Sequence, residues 1–182
     1  MTEARKCMAV WLGRLDYAKA LDIQNSLHSR VASGELPHIL LLLEHFHTYT
    51  LGRRGKDADV LISPDELAKL RVSVYHTDRG GEVTYHGPGQ LVGYPIFDLR
   101  SWGGGPVKYV RKLEQMIIST LQGFDISAES EGHPTGVWVA AAKIAAIGVK
   151  VSRGVTTHGF ALNVDPDLSY FDHIISCGIP NA

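Results

Sequence analysis

The feature that most constrains the fold is the order in which helical and strand-like patterns follow one another along the 182-residue chain. Apolar residues at helical spacing mark 17–31 and 106–121, and short apolar runs typical of strands fill much of the rest. These signals do not alternate regularly. They therefore favour an α/β fold of the α+β kind, a mixed sheet flanked by helices, over a doubly wound parallel sheet. The length fits one domain over residues 1–182.

Capping and turn residues predict where individual elements begin and end. Asp16 is placed to cap the first helix, and Ser63 with Glu66 forms a capping box for a short second one. Strands at 82–85 and 90–97 are expected to form a hairpin through the turn at 87–89. The expected strands after Gly123 are 124–128, 136–139, 143–151 and 155–164, followed by one or two helical turns at 167–173.

Charge and composition argue against several classes of function. A net charge of −1 does not suggest a nucleic-acid-binding protein, and the basic groups near 53–56, 108–112 and 150–153 fit either solvated surface or docking of an acidic partner. Two cysteines make no disulfide framework, which favours a reducing compartment. The apolar run 39–43 is too short to span a bilayer, and no signal peptide is recognised, so we expect a cytoplasmic protein without membrane contact.

No motif predicts a cofactor or metal. The chain has neither the glycine fingerprint of a dinucleotide site nor a P-loop. Glu44, His45 and His47 cluster in sequence, with His76 and His86 as further candidates, but their spacing matches no zinc signature. We therefore expect no metal and no cofactor.

The stretch 79–90 carries the densest group of unusual residues. It combines four glycines with arginine, threonine, tyrosine, histidine and glutamine side chains in one predicted hairpin. Glycine allows a ligand or another backbone segment to approach closely. The stretch could line a ligand site, or its polar side chains could face water.

Cys177 and Lys143 are candidates for covalent chemistry. A thiol with a pKa near 8.5 is only about 3% thiolate at neutral pH, so a nucleophilic Cys177 needs a base nearby. Lys143 lies between alanine-rich segments of a predicted strand. Partial burial would lower its pKa and suit it as a base, whereas an outward orientation would leave it solvated. His158 and His86 each precede a glycine, which suggests a shared cleft or two hydrogen-bonded sheet histidines.

The motifs at 79–90, 136–139, 143–148, 158–163 and 177–178, in this order and spacing, resemble those of lipoyl(octanoyl) transferases. The resemblance implies the class II aminoacyl-tRNA synthetase/biotin synthetase-like fold, which lipoate and biotin protein ligases share. It also implies transfer of octanoyl from octanoyl-acyl carrier protein to a lysine of lipoyl domains. Such domains occur in the E2 subunits of 2-oxoacid dehydrogenases and in the glycine cleavage H protein.

Carried over residue by residue, the resemblance implies that Cys177 bears the acyl group as a thioester. Lys143 is then expected to lower the pKa of the thiol and to handle protons, with His158 as a supporting residue. The residues expected to bind substrate are Arg79, Gly80, Gly81, Glu82, Val83, Thr84, Tyr85, His86, Ala146, Ile147, Gly148, Gly159, Phe160 and Ala161.

Two departures from the family and two alternatives accompany this expectation. Ser176 stands where proline is usual, and the chain ends at Ala182, so we expect a catalytic domain without the family's C-terminal extension. One alternative is an ATP-dependent lipoate or biotin protein ligase, which makes an acyl-adenylate and needs no nucleophilic cysteine. The other is an inactive homologue that only binds.

Overall fold

The computed structural model describes residues 6–100, 102 and 105–175. Nine strands and three α-helices make up most of this part of the chain. The strands are β1 (Cys7–Leu15), β2 (His38–His45), β3 (Thr48–Leu51), β4 (Ser73–His76), β5 (Val83–His86), β6 (Gln90–Ile96), β7 (Val137–Val139), β8 (Ala142–Ser152) and β9 (Val155–Asn163). The helices are α1 (Tyr17–Ala32), α2 (Pro64–Lys69) and α3 (Gly105–Gln122), with short 3-10 helices at Asp57–Asp59 and Leu168–His173.

Six strands form a large mixed sheet in the order β1-β2-β6-β9-β8-β7. The β1–β2 pair is parallel and the remaining pairs are antiparallel. One face packs against α1, where Ala20 and Val31 meet Leu41 and Ile96. The other face carries the core shared with α3. Apolar side chains on both faces of the central strands thus fix a helix–sheet–helix arrangement.

A small three-stranded sheet in the order β4-β3-β5 stands beside the large one. Its core of Tyr49, Leu51, Val83 and Tyr85 packs against the C-terminal 3-10 helix. The second sheet brings the glycine-rich segment after β4 close to strands β8 and β9 of the first, since Gly80 N–H donates to Val149 O at 3.0 Å.

The predicted hairpin at 82–97 is wrong. β5 pairs with β3 in the small sheet, whereas β6 lies between β2 and β9 in the large sheet. The turn itself forms, with Gln90 N–H donating to Gly87 O at 3.2 Å, but it leads the chain around the corner between two sheets. Local turn residues predict a reversal, while long-range apolar packing decides which strand becomes the partner.

Two further differences concern the first helix and the edge of the large sheet. Asp16 occupies the N-cap position of α1, but its side chain makes no capping hydrogen bond. The capping box of Ser63 and Glu66 forms as predicted. The strand expected at 124–128 is absent; only Glu129 forms a bridge there, with Trp138. No helix in the described residues is both long and apolar enough to cross a bilayer.

Candidate active site

A narrow inner cavity of about 60 Å³ lies where the glycine-rich segment 79–86 crosses strands β8 and β9. An outer cavity of about 260 Å³ lies beside it. Thr84, Lys143, Ala146 and Ala161 line both, so the two cavities adjoin. The remaining residues of the inner cavity are Tyr17, Arg79, Gly80, Gly81, Glu82, Val83, His86, Tyr94, Thr135, Ile147, Gly148, His158, Gly159 and Phe160.

Glycines allow three backbone segments to meet at this cavity. Gly148 and Gly159 are directly opposed on β8 and β9. A Cβ added at Gly148 would lie 2.8 Å from Gly80 O, and one at Gly159 would lie 2.1 Å from Gly93 O. Side chains at these positions would force the segments apart, so the glycines are needed for close packing. The resulting cavity wall is smooth and narrow.

Arg79 is buried and fastens the segment 79–82 to β3. Its guanidinium donates to Thr50 Oγ1 and Thr50 O, to Gly80 O at 3.0 Å and to Glu82 O at 2.8 Å. The planar fork of arginine can serve several acceptors at once. Arg79 therefore shapes the cavity by holding its backbone wall.

His86 is fully buried in a polar chain beside Arg79. Its Nδ1–H donates to Gln90 Oε1 at 2.8 Å, because the Gln90 amide nitrogen itself donates to Tyr85 O and Asn163 Oδ1. The Thr50 hydroxyl lies 3.3 Å from His86 Nε2, which is then the acceptor. Burial lowers the pKa of His86 well below its ordinary value. The imidazole is therefore neutral and structural in this arrangement.

His158 occupies the inner end of the cavity and is 2% exposed. Its backbone is left-handed, with φ +56°. Nε2–H donates to Asp78 at 2.8 Å, and the Tyr17 hydroxyl lies 3.5 Å from Nδ1. Burial lowers the pKa of His158, an effect that Asp78 opposes, and burial raises the pKa of Tyr17 to about 12. A neutral imidazole and a protonated phenol thus meet at this end.

Lys143 stands at the junction of the inner and outer cavities. It pairs with Trp138 across β7 and β8, and its ammonium lies 5.0 Å from the Trp138 ring centroid. Gly136 (φ +140°) approaches β8 closely, since a Cβ there would lie 2.6 Å from Ala145 O and in ordinary contact, at 3.4 Å, with Lys143 Cδ. The buried Glu114 carboxylate accepts the Gly136 N–H at 3.1 Å and fixes this approach.

The outer cavity brings the C-terminal 3-10 helix next to Lys143. Leu168, Phe171 and Asp172 of that helix line the same space as Lys143. Ile175, at the end of the described chain, donates its N–H to Asp59 O at 2.8 Å. Cys177 lies outside the described residues, whereas Cys7 is exposed on β1.

Most residues that the sequence singled out for binding surround the inner cavity, but Tyr85 does not. Side chains along β5 point alternately to opposite faces, so those of Thr84 and His86 face the cavity. The Tyr85 side chain packs in the small sheet, where its hydroxyl lies 2.8 Å from His47 Nδ1. Sequence reasoning missed Tyr17, Tyr94 and Thr135. Tyr94 gave one signal, a hydroxyl within the mostly apolar strand β6.

The suggested metal residues have other partners. His45 donates from Nδ1 to Leu15 O and accepts at Nε2 from the Tyr94 hydroxyl, while Glu44 pairs with Arg14. Within 6–100, 102 and 105–175, no three His, Cys, Asp or Glu side chains are grouped as a metal would require.

The geometry fits a slender aliphatic group with a reactive end. Small residues and glycine backbone line the inner cavity, and burial of each methylene there contributes about 0.8 kcal/mol. Lys143, at the mouth of the inner cavity, can exchange a proton with a group held in the outer cavity.

Comparison with known proteins agrees with this geometry. Residues 16–181 match the family described as the lipoyl protein ligase A/B catalytic domain. An octanoyltransferase of Solibacter usitatus is 54% identical over 96% of this chain and 80% of its own length. The octanoyltransferase LIP2, mitochondrial, of Arabidopsis thaliana is 45% identical over 96% of this chain and 75% of its own.

Solved structures confirm the predicted fold class. LipL1 of P. falciparum, in complex with lipoate, superimposes with a TM-score of 0.76 at 14% identity and covers 97% of this chain. The match covers 53% of LipL1, about half its length. A bi-partite lipoate protein ligase of Thermoplasma acidophilum gives 0.69 at 16% identity, over 94% of this chain and 66% of that one.

Proposed function

We propose a specific reaction for this chain, which belongs to the lipoyl protein ligase A/B catalytic domain family and is an acyltransferase that moves octanoyl in protein lipoylation. The proposed donor is octanoyl-acyl carrier protein. The proposed acceptor is a lysine of a lipoyl domain, as in 2-oxoacid dehydrogenase E2 subunits or the glycine cleavage H protein. We further propose that the octanoyl group passes through a thioester on Cys177 and that the reaction takes place in the cytoplasm.

The observation that carries this proposal is the position of Lys143. Its side chain lies at the junction of the narrow cavity and the outer cavity, which the C-terminal 3-10 helix also lines. That helix leads along the chain towards Cys177. A thiol delivered from this side would meet both a basic amine and the carbonyl end of a buried acyl chain.

Each half-reaction breaks one bond to the acyl carbon and forms another. Lys143, as the free amine, takes the thiol proton of Cys177, and the thiolate attacks the donor's thioester carbonyl. The donor carbon–sulfur bond breaks, and the departing thiolate takes the proton back from Lys143. The acceptor amine then attacks the Cys177 thioester and loses a proton through Lys143 to the Cys177 thiolate. The products are an octanoyl amide and a restored thiol.

Intact-protein mass spectrometry after mixing with octanoyl-acyl carrier protein, without ATP, tests the covalent step. We expect one octanoyl adduct on the wild type, released by hydroxylamine. The matched pair is Cys7→Ser, which should keep the adduct, and Cys177→Ser, which should lose it. An adduct that needs ATP would instead favour the ligase alternative, and acylation that persists in Cys177→Ser would refute the thioester.

The role of Lys143 has a separate test. Lys143→Met retains the aliphatic stem and removes the amine, so alkylation of Cys177 by iodoacetamide at neutral pH should slow. The matched control is Lys150→Met, since the Lys150 ammonium pairs with Asp78. Equal alkylation rates in all three proteins would refute the assignment of Lys143.

A further inference from the structure

One side chain of the inner cavity, that of His158, also faces a second space. On its far side lies an open groove of about 350 Å³, lined by Leu21, Asn25, His76, Thr77, Asp78 and His158, which we term the side groove. Among the described residues that line the inner cavity or the side groove, His158 is the one common to both. Its imidazole is thus the partition between the two spaces.

The contacts of His158 show how the ring spans this partition. Its Nδ1 edge faces the hydroxyl of Tyr17, which lines the inner cavity. Its Nε2 edge donates to Asp78, which lines the side groove. Gln24 Oε1 accepts the His158 N–H at 2.7 Å and fixes the backbone. Because both ring nitrogens have partners and the backbone is fixed, the ring cannot swing aside without losing these contacts.

The distance from the cavity mouth to this partition suits an eight-carbon chain. Ala161 lines the junction with the outer cavity, and His158 lies three residues away along β9. At about 3.3 Å per strand residue, the Cα atoms of these two residues are roughly 10 Å apart. Carbon–carbon bonds of ~1.5 Å advance roughly 1.3 Å each in a zigzag, so seven of them cover about 9 Å.

We propose that His158 is the residue that limits acyl-chain length, closing the cavity at its inner end so that chains longer than about eight carbons are excluded. This inference rests on the proposed function, because it takes the inner cavity to hold the acyl chain. Removing the imidazole joins the cavity to the side groove and lets a longer chain pass through. The emerging methylenes meet an open, partly polar groove, so their binding should level off rather than keep strengthening.

Two substitutions suit the local backbone. Glycine and asparagine are the residues that most readily accept a left-handed conformation, and φ at His158 is +56°. His158→Gly removes the partition completely, while His158→Asn shortens it. His28→Ala is the matched control, since His28 is also a buried imidazole bonded to a sheet carbonyl, Ser152 O at 3.0 Å, and lines none of the cavities described above.

The test measures binding and transfer separately. Equilibrium binding of free fatty acids of six to fourteen carbons measures the length of chain that the cavity accepts. Transfer of acyl groups of the same lengths from acyl carrier protein measures activity. For the wild type and His28→Ala we expect affinity to fall roughly tenfold or more beyond about eight carbons, as overpacking predicts. In His158→Gly that fall should disappear, with His158→Asn intermediate.

The outcomes separate the two proposals. If a folded His158→Gly protein shows the same dependence of affinity on chain length as the wild type, His158 does not limit the chain length. Should that variant fail to fold, an unchanged profile in His158→Asn would overturn the proposed limit equally. If the wild type binds with the expected cut-off but transfers no octanoyl group, the proposed function fails and the partition stands.

Discussion

Replacing Arg79 by methionine tests whether the cavity wall is held by a buried guanidinium. Arg79 is 8% exposed, and it donates to Thr50, Gly80 and Glu82. Methionine keeps much of the aliphatic stem and removes every donor. Carbonyl groups of the segment 79–82 then lose a charged partner inside the protein, where an unmade hydrogen bond is costly.

The expected loss follows from the acceptors. Hydrogen bonds to charged groups contribute at least about 1.5 kcal/mol each. Counting one for each of the three acceptor residues gives about 4.5 kcal/mol, and Glu82 O retains the Gly52 N–H as a partner, which places the loss nearer 4 kcal/mol. For a domain of this size, that lowers the melting temperature by roughly 8–16 °C.

Urea denaturation and thermal melting measure the effect, with octanoate binding as a second readout. Arg53→Met is the matched control, because Arg53 is exposed and its backbone N–H, which the substitution retains, bonds Arg79 O. That variant should stay within about 0.5 kcal/mol of the wild type. Equal stability of the two variants would refute the assigned role of Arg79.

Three further predictions concern packing, charge and docking of the 3-10 helix. Gly148→Ala should cost about 1–3 kcal/mol by thermal melting, because its Cβ would lie 2.8 Å from Gly80 O, whereas Gly80→Ala, with its nearest contact at 3.4 Å, should be nearly neutral. The pKa of buried His86 is lowered, so the unfolded chain binds the extra proton; urea denaturation should show stability falling below about pH 6.5, less steeply in His86→Gln. Tyr49→Phe loses the 2.7 Å hydrogen bond to Tyr170 O, so its free energy of unfolding should fall by about 1 kcal/mol. An unchanged melting curve would contradict this.

The sequence predicts the elements of this fold better than their pairing. The capping box at Ser63 and the apolar spacing of α3 are local signals, and both helices form as expected. The partner of β5 is decided by contacts between residues far apart in the chain, because Tyr49 and Leu51 of β3 supply the apolar face that covers it. A turn motif at 87–89 carries no information about that choice.

The residues of the cavity likewise differ in how far the sequence alone could identify them. The glycine-rich stretch 79–90 could be recognised from its composition, whereas Gly148 and Gly159 were expected there from the family resemblance, and the structure shows them directly opposed. Tyr17 could not be found in this way. It is the first residue of α1, and it reaches the cavity because α1 packs across β9 beside His158. Only the three-dimensional packing brings that hydroxyl to the inner end.

Tyr85 explains why a run of special residues can serve two purposes at once. Neighbouring residues of a strand point to opposite faces, so Thr84 and His86 line the cavity while Tyr85 must turn away. Tyr85 stacks on Tyr170 at 5.0 Å and meets Phe171 edge-on at 5.3 Å. Phe171 lines the outer cavity with Lys143. β5 therefore forms one wall of the inner cavity and also holds the 3-10 helix that lines the outer cavity, which couples the shape of the inner cavity to the surroundings of Lys143.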